Sequence, residues 1–527
     1  MKFILIILLI FSILSCEKEK PRKSSAPAPA HITTIKPEGK SVLIDSALVN
    51  SYGSKTLKEF YFSSGFKSVW QSKEDRKIIL EQLLNSAEDG LNPADYSIEK
   101  LQKFEKIYAN LSDKDRGIYD ILFTHSFQKY ILHQTNGRLN PRNLYKDWDL
   151  KENKIDINGT IAKLIKSDSL VFRIEQLKPN HLVYKSLKKA LKIINTFPND
   201  NFKAIEIANK IIQNDTNTAL IDIKKRLIYW KLLHPKDSLS SIYDNETAEA
   251  VKKFQMLHGL AADGVIGKGT IASLNFTKNQ RKKQIIANLE RWKWYPKEMG
   301  KEYLIINIPD YRLTLVKDND TIRTHKVIVG SAKRRTPVLS SNITHVIFNP
   351  TWTVPPTILK EDVIPAISRN RNYLAQSNIK VYDSNGKVVS ANNWLLSRAK
   401  SYRYVQSPGT FNSLGMVKLV FPNRFSIYLH DTNHRDFFGK QMRSLSSGCV
   451  RVEHPLKLAE YLLDDERNWN LEKITQTLQN EKTKQIKIKN DVTIHVLYWT
   501  AWSEDNRLIF RDDIYNLDAN LYQKLRK

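Results

Sequence analysis

Apolar residues follow a helical period in the first half of the chain and a strand-like alternation in much of the second. From Leu80 to Ala87 they recur every three or four positions, which is the spacing of one buried helix face. The same period predicts helices near 113–134 and 184–196. We therefore expect residues 55–216 to form a helical scaffold domain, and we find no catalytic constellation in it.

A shorter helical pattern follows over residues 217–276. Val251, Phe254 and Leu257 share helical spacing, and Gly259 is placed to end that helix. A turn and a second short apolar stretch come after it. The pattern predicts a small module of three helices.

Strand-like patterns begin after a helix predicted near 281–293. Residues 303–308 form an apolar run of strand length, residues 311–316 alternate, and Pro309-Asp310 between them is a turn signal. Further strands are predicted at 322–329, 343–348, 416–421 and 425–430.

The strands are interrupted at 358–405 by helix-like and polar stretches, which we interpret as an inserted lid or cap. A helix is predicted from Pro455, and residues 481–527 are expected to form an extension with a strand, a hairpin and a short helix. The predicted fold class is multidomain α+β. It comprises a helical scaffold, a small three-helix module and a mainly-β domain over 300–480 that carries the cap.

An apolar run over residues 3–15 follows Lys2. At about 1.5 Å per helical residue it is too short to cross a bilayer of about 30 Å, and it has the length of a signal-peptide core. The LSC at 14–16 resembles the bacterial lipobox, which implies a signal peptide over 1–16 and lipid attachment to Cys16. An ordinary signal peptide with an incidental cysteine is the alternative.

Residues 17–54 are expected to be a disordered tether, because the Lys, Pro, Ser and Ala at its start cannot bury a core. The predicted location is the periplasmic side of a bacterial cell envelope, with a lipid anchor in a membrane. A net charge of +28 favours anionic partners. Export argues against nucleic acid, which leaves anionic lipid surfaces and acidic wall polymers. A generally solvated basic surface is the alternative.

The sequence contains two cysteines, Cys16 and Cys449. If Cys16 carries lipid, Cys449 has no partner for a disulfide and is either a reactive thiol or a buried inert one. A thiol needs a neighbouring base to attack at neutral pH, and His430 precedes it in a predicted strand. This pair is the candidate nucleophile and base.

Two features near the thiol point to the same chemistry. Alternation within 425–430 predicts that Ser426, Tyr428 and His430 lie on one open face. Gly448 permits a tight turn that could aim its own amide and the next one at a single point. Two such donors form an oxyanion hole, which stabilises the transition state of acyl transfer.

The segments YLHDT at 428–432 and SSGCVRV at 446–452 resemble the active-site signature of the L,D-transpeptidases with the YkuD catalytic fold. The segments NPTWTVPP at 349–356 and GMVK at 415–418 resemble the large YcbB-type branch of that family. That branch carries a helical scaffold and a peptidoglycan-binding module before the catalytic domain. Residues 251–275 resemble the peptidoglycan-binding domain-1 family, so the resemblance covers most of the chain.

The resemblance implies acyl transfer between peptidoglycan stem peptides. Cys449 would attack the carbonyl of the third residue, a diamino acid, of a donor tetrapeptide. His430 would take the thiol proton and later pass it to the leaving D-alanine. The side-chain amine of an acceptor stem would then open the thioester and make a 3→3 cross-link. Carbapenem-type inhibitors are expected to acylate Cys449, and no cofactor or metal is implied.

The resemblance also implies an oxyanion site and a substrate groove that binds carboxylates. The alternative for Trp352 is a structural position in the core. The alternative for Arg443 and Arg451 is a structural ion pair. The candidates are Tyr428, Gly448 and Ser447 for the oxyanion site, and Trp352, Arg443 and Arg451 for the groove.

Other functions remain open from the sequence. His430, His434, Cys449 and His454 could hold zinc. Opening the thioester with water would make the protein an L,D-carboxypeptidase, and opening it with a lysine of another protein would attach that protein to the wall. A non-catalytic wall-binding lipoprotein would need the binding module alone.

Overall fold

A computed structural model describes residues 41–167, 169–236 and 238–527. The predicted signal peptide over 1–16 and its lipid attachment at Cys16 lie outside the described residues. The fold is multidomain α+β, as predicted, with a helical N-terminal part and a mainly-β C-terminal domain. No helix in the described ranges is both long and apolar enough to cross a membrane.

The scaffold is built around one long helix, Asp113–Asn136, which is buried along most of its length. Ser112 caps that helix by accepting from the Asp115 amide. The strand Trp148–Asp149 leaves the scaffold and pairs with the main sheet of the catalytic domain. The other helices of this part are Ser46–Ser51, Lys55–Ser63, Lys73–Leu84, Ile98–Lys106, Pro141–Leu144, Ile157–Ile165, Leu170–Glu175 and Leu182–Thr196.

The predicted tether over 17–54 is wrong for its described part. Ile44 and Val49 are buried in the scaffold core, and Asp45 caps the helix Ser46–Ser51. The low-complexity composition ends before these residues, and their apolar side chains pack into the scaffold core.

The small module contains three helices, Ala219–Tyr229, Asn245–Leu257 and Lys268–Leu274, within its described residues. They enclose a core of their own around Phe254. The helix Lys278–Lys293 then runs into the catalytic domain and is buried over most of its length. The module is held against that domain, and the contacts include a bond from Arg511 to the Leu257 carbonyl at 3.3 Å.

The mainly-β domain is organised on a twelve-stranded sheet. The strand, hairpin and short helix predicted within residues 481–527 are present, and the strand, Thr493–Leu497, lies inside this sheet, parallel to Glu302–Asn307. The apolar side chains of that strand complete the sheet core. The short strand Ser444–Ser446 pairs in parallel with Asp320–Gly330, outside the main strand order. The remaining strands lie in the spatial order Trp148–Asp149, Val338–Asn342, Thr493–Leu497, Glu302–Asn307, Arg312–Lys317, Asp320–Gly330, Val450–Val452, Leu429–His430, Val417–Val420, His345–Phe348 and Lys484–Lys487.

The cap insertion folds as a layer with its own four-stranded sheet, which the sequence pattern did not predict. Trp394 and Tyr404 form part of a separate core there, and the Trp394 indole donates to the Tyr404 hydroxyl at 2.7 Å. The cap elements are Trp352–Thr353, Pro356–Ile358, Ile364–Arg369, Tyr373–Gln376, Ile379–Tyr382, Val388–Val389 and Arg403–Gln406.

The chain after the catalytic strands is helical, apart from strands of the main sheet and one hairpin. The predicted helix from Pro455 is present, and Leu458, Ala459 and Leu462 on one side of it are buried. The elements are Pro455–Leu463, Glu466–Trp469, Leu471–Gln479, the hairpin Ala501–Glu504 with Arg507–Phe510, and Asp518–Leu525.

Candidate active site

Three neighbouring strands place the candidate base between two cations. His430 pairs with Lys418 on one side and with Arg451 on the other. Residues opposite each other in a sheet share a face, so these three side chains lie together. Leu429 and Val450, one position before His430 and Arg451, point to the other face and are fully buried in the core.

The candidate nucleophile lies on the same face. The Val450 amide donates to the Tyr428 carbonyl at 3.2 Å, which continues the strand register and sets Cys449 beside Tyr428. Cys449 is a half-buried free thiol, and His430 is 5% exposed. His430 pairs with Arg451, and Cys449 lies two positions before Arg451, so Cys449 and His430 are diagonal neighbours on one sheet face.

The approach to this strand differs from the prediction. The strand covers Leu429–His430 and not 425–430. The Asn423 side chain folds the preceding residues into a turn, accepting from the Ile427 amide at 3.2 Å and donating to its carbonyl at 2.8 Å. Ser426 takes a left-handed conformation with φ of 55°, so it does not continue the alternation that was expected to align it with Tyr428.

The loop before the thiol is tied by its own hydrogen bonds. Ser446 Oγ donates to the Cys449 carbonyl at 2.6 Å and accepts from the Gly448 amide at 3.1 Å. The Gly448 carbonyl accepts from Thr336 at 2.8 Å, and Gly448 has φ of 115°. The Gly448 amide therefore donates to Ser446 in this structure, and its oxyanion role stays a prediction.

Electrostatics around the pair favour neutral groups. Burial, followed by the charge of Arg451, lowers the pKa of His430 to about 3, and Lys418 acts in the same direction. Burial also raises the pKa of the Cys449 thiol, whereas Tyr428 and the two cations act against that rise. His430 Nδ1 is buried with no hydrogen-bond partner in the described part of the chain. At neutral pH the site holds a thiol and an imidazole that is free to accept a proton.

Tyr428 remains a hydrogen-bond donor at this site. Its ring centroid is 5.6 Å from that of His430, and the Lys418 ammonium lies 3.8 Å from the centroid of the tyrosine ring. Burial and the neighbouring Cys449 raise the pKa of Tyr428 well above its ordinary value, while the indole of Trp352 acts in the opposite direction. The phenol is therefore protonated. Trp352 is half-buried and belongs to the first strand of the cap sheet.

The two candidate substrate arginines differ. Arg451 Nε and Nη1 are buried and have no hydrogen-bond partner among the described residues. Arg443, in contrast, donates to the carbonyls of Val327, Lys440 and Tyr311 at 3.0 to 3.4 Å. These bonds use three of the five N–H groups of the Arg443 guanidinium, and its carboxylate-binding role stays a prediction.

Sequence reasoning missed Lys418 and Arg334. Lys418 interrupts an apolar strand, Val417–Val420, and its place in that strand was the signal that could have found it. Arg334 lies in a loop and donates to Ser447 Oγ at 2.9 Å. Its contact joins segments distant in sequence, for which no local pattern exists.

Zinc binding would need a cluster of His, Cys, Asp or Glu ligands, and the ranges that the structure describes contain none. His434 stacks on Phe437 with ring centroids 5.1 Å apart. Asp431, next to His430, pairs with Arg435 at 2.8 Å. The carboxylate of Asp431 also accepts from the Met416 amide, so it organises the neighbouring loop.

Comparison with known proteins identifies three parts of the chain. Residues 55–191 match a scaffold domain, residues 216–274 a peptidoglycan binding domain, and residues 301–484 an L,D-transpeptidase catalytic domain. A curated Haemophilus influenzae protein named as an L,D-transpeptidase is 36% identical over 221 residues. The match covers 41% of this chain and 45% of that relative, so the chain spans less than half of the relative's length.

Two solved structures were also found. An L,D-transpeptidase from Xylanimonas cellulosilytica is 13% identical, with 55% of this chain and 99% of that chain covered and a TM-score of 0.19. An L,D-transpeptidase from Stackebrandtia nassauensis is 13% identical, with 55% and 97% covered and a TM-score of 0.21. Similarity at these TM-scores carries no argument about the site.

Proposed function

We propose that this chain, which contains an L,D-transpeptidase catalytic domain together with a scaffold domain and a peptidoglycan binding domain, cross-links peptidoglycan stem peptides. Cys449 is the nucleophile and His430 is the general base. The reaction runs through a thioester on Cys449 and produces a 3→3 cross-link.

In the first half-reaction the imidazole of His430 takes the thiol proton as the sulfur attacks the third residue of the donor stem. The lowered pKa keeps the imidazole unprotonated at neutral pH, and it also weakens the imidazole as a proton acceptor. The imidazolium formed then gives its proton to the leaving D-alanine. Arg451 and Lys418 disfavour that imidazolium, so they promote the return of the proton.

The oxyanion formed on the donor carbonyl needs two donors. The protonated Tyr428 hydroxyl is one of them, because Tyr428 lies beside Cys449 on the same face of the sheet. The amide of Cys449 is the other, since the Gly448 amide is engaged by Ser446. Arg451, whose guanidinium has two nitrogens without partners in the described chain, binds a carboxylate of the stem peptide.

In the second half-reaction the amine of an acceptor stem attacks the thioester. His430 accepts a proton from the amine and returns it to the sulfur. The observation that supports the proposal is the strand register, which sets the side chains of Cys449 and His430 on one face of the sheet.

The test is an incubation of the purified protein with tetrapeptide-bearing muropeptides, followed by mass spectrometry of the products. We expect cross-linked dimers from the unaltered protein and none from Cys449→Ala. Cys16→Ser, which removes the other cysteine, is the matched control and should retain activity. Dimers of 3→3 type made by Cys449→Ala would refute the assignment.

We propose in addition that the protein works in the bacterial cell envelope, held by lipid on Cys16 and by the peptidoglycan binding domain. The supporting observations are the lipobox-like segment and the matched domain over residues 216–274. Mass spectrometry of the N-terminal peptide tests the lipid. Sacculus binding by a variant lacking residues 217–276 tests the domain, and unchanged binding would contradict its role.

A further inference from the structure

Arg334 connects three separate segments of the catalytic domain. It lies in the loop 331–337, and its guanidinium donates to Glu361 at 2.6 and 3.1 Å. It also donates to both carboxylate oxygens of Asp362, at 2.5 and 3.0 Å. A further bond, at 2.9 Å, goes to the hydroxyl of Ser447.

The partners of Arg334 belong to the cap and to the catalytic loop. Glu361 and Asp362 lie in the helical segment Leu359–Val363 of the cap. Ser447 is two positions before Cys449. One side chain therefore ties the cap to the loop that carries the nucleophile.

The cap meets the catalytic face at a second point. Trp352 begins the sheet of the cap, and a side-chain hydrogen bond from Trp352 opposes the rise in the pKa of Tyr428. Contacts at two points hold the cap close to the residues around the thiol.

The loop that carries Arg334 is held in place by hydrogen bonds to the rest of the domain. Thr336 donates to the Gly448 carbonyl at 2.8 Å, and the Ser331 amide donates to the Ser446 carbonyl at 3.0 Å. The Thr336 amide in turn donates to the Tyr515 hydroxyl at 3.0 Å. The cap, with its separate core, is therefore the part that can move when the contacts of Arg334 open.

The ion pairs are suited to opening and closing. The Arg334 side chain is 21% exposed, whereas Glu361 and Asp362 are 52% and 48% exposed. The bonds to Asp362 and Glu361 raise the pKa of Arg334, so it stays charged. Partly exposed ion pairs are individually weak and are screened by salt, which makes their contact reversible.

We propose that Arg334 is a positioning residue that latches the cap over Cys449, and that the latched cap favours transfer of the acyl group to an amine over transfer to water. This rests on the proposed thioester. In aminolysis the amine nitrogen bonds to the acyl carbon, the carbon–sulfur bond breaks, and a proton from the amine returns to sulfur through His430. In hydrolysis, water replaces the amine and a free carboxyl is released. A closed cap excludes water and orders the acceptor.

The test compares three variants that form the same acyl-enzyme. Glu361→Gln with Asp362→Asn removes both ion pairs and leaves the bond from Arg334 to Ser447. Arg334→Met removes all of these contacts. Arg369→Met is the matched control, because Arg369 is an exposed cap arginine that contacts the Pro365 carbonyl of its own helix.

The first readout is the ratio of cross-linked dimer to hydrolysed tripeptide, with donor and acceptor supplied together. We expect the ratio to fall about fivefold in the double variant and in Arg334→Met, the size of one partly exposed ion pair. The ratio should be unchanged in Arg369→Met. Equal ratios in all variants that form acyl-enzyme would overturn the latch.

The second readout is amide hydrogen exchange over residues 356–369, which does not depend on catalysis. Arg334→Met should exchange about fivefold faster there than the unaltered protein. The difference should shrink in about 1 M salt, where the Debye length is near 3 Å. Identical exchange in Arg334→Met and Arg369→Met would overturn the latch. Absence of any acyl-enzyme in the unaltered protein would refute the proposed function, and the exchange result would still decide about the cap.

Discussion

Replacing Lys418 with methionine should raise the pKa of the Cys449 thiol, because the ammonium stabilises the thiolate. Lys418 lies two strands from Cys449 on the same face, with its ammonium 3.8 Å from the Tyr428 ring centroid. At a separation of about 6 to 8 Å and an effective dielectric constant of about 20, the attraction is about 2 to 3 kcal/mol. Lys418 is half-buried, and screening by solvent reduces this to about 1 kcal/mol.

The assay is alkylation by iodoacetamide as a function of pH, in a Cys16→Ser background that leaves Cys449 as the one thiol of the sequence. A loss of about 1 kcal/mol moves the thiol titration up by roughly 0.7 pH units and slows alkylation at pH 8 about fivefold. Iodoacetamide is small and uncharged, so the rate does not report substrate binding.

The matched control is Lys484→Met. The Lys484 ammonium also lies over an aromatic ring, 4.7 Å from the Trp469 centroid, but on the edge strand Lys484–Lys487 of the same sheet. We expect no change in the titration of Cys449. Equal titration curves for Lys418→Met and Lys484→Met would refute the electrostatic role of Lys418.

Three further predictions concern the base, the core and a loop. Because the pKa of His430 is lowered to about 3, the base form persists at mild acidity, and carbapenem acylation of Cys449 should show no acid limb near pH 6.5. Asp518→Ala leaves the fully buried Arg291 without its partner at 2.8 Å and should lower the free energy of unfolding by about 3 to 5 kcal/mol, measured by denaturant unfolding. Gly415→Ala places a Cβ 2.4 Å from the Asp431 carboxylate at φ of 59° and should cost about 2 kcal/mol or more, with loss of cross-linking.

Controls separate each effect from a general loss of stability. Glu504→Ala removes an exposed acidic residue from the C-terminal hairpin and should leave the unfolding transition in place. Gly386→Ala has a similar φ of 79° but open space around the added carbon, so about 1 kcal/mol of backbone strain is expected. An acid limb near pH 6.5, or equal unfolding for either variant and its control, would contradict the corresponding prediction.

The sequence predicted the parts of this fold that depend on local pattern. Helical periodicity gave the long helix Asp113–Asn136 and the three helices of the small module, because an amphipathic helix shows its buried face in the spacing of its residues. The resemblance to L,D-transpeptidases is confirmed by the matched domain over 301–484.

The differences arise where local side-chain hydrogen bonds or strand pairing between distant segments decide the structure. The strand Leu429–His430 is shorter than predicted because side-chain hydrogen bonds from Asn423 to Ile427 fold the preceding residues into a turn. Ser446 engages the amide of Gly448, and strand pairing draws Thr493–Leu497 into the main sheet. Periodicity within a segment contains no information about such partners.

The thioester itself is the most direct test of the central claim. Purified protein mixed with a donor tetrapeptide, without an acceptor, is quenched in acid, digested and analysed by mass spectrometry. We predict that the peptide containing Cys449 gains the mass of the tripeptide acyl group and that D-alanine is released in equal amount. Release of D-alanine with the acyl group on another residue would contradict the account. Release of D-alanine by the Cys449→Ala variant, or by protein whose Cys449 stays unmodified, would also contradict it.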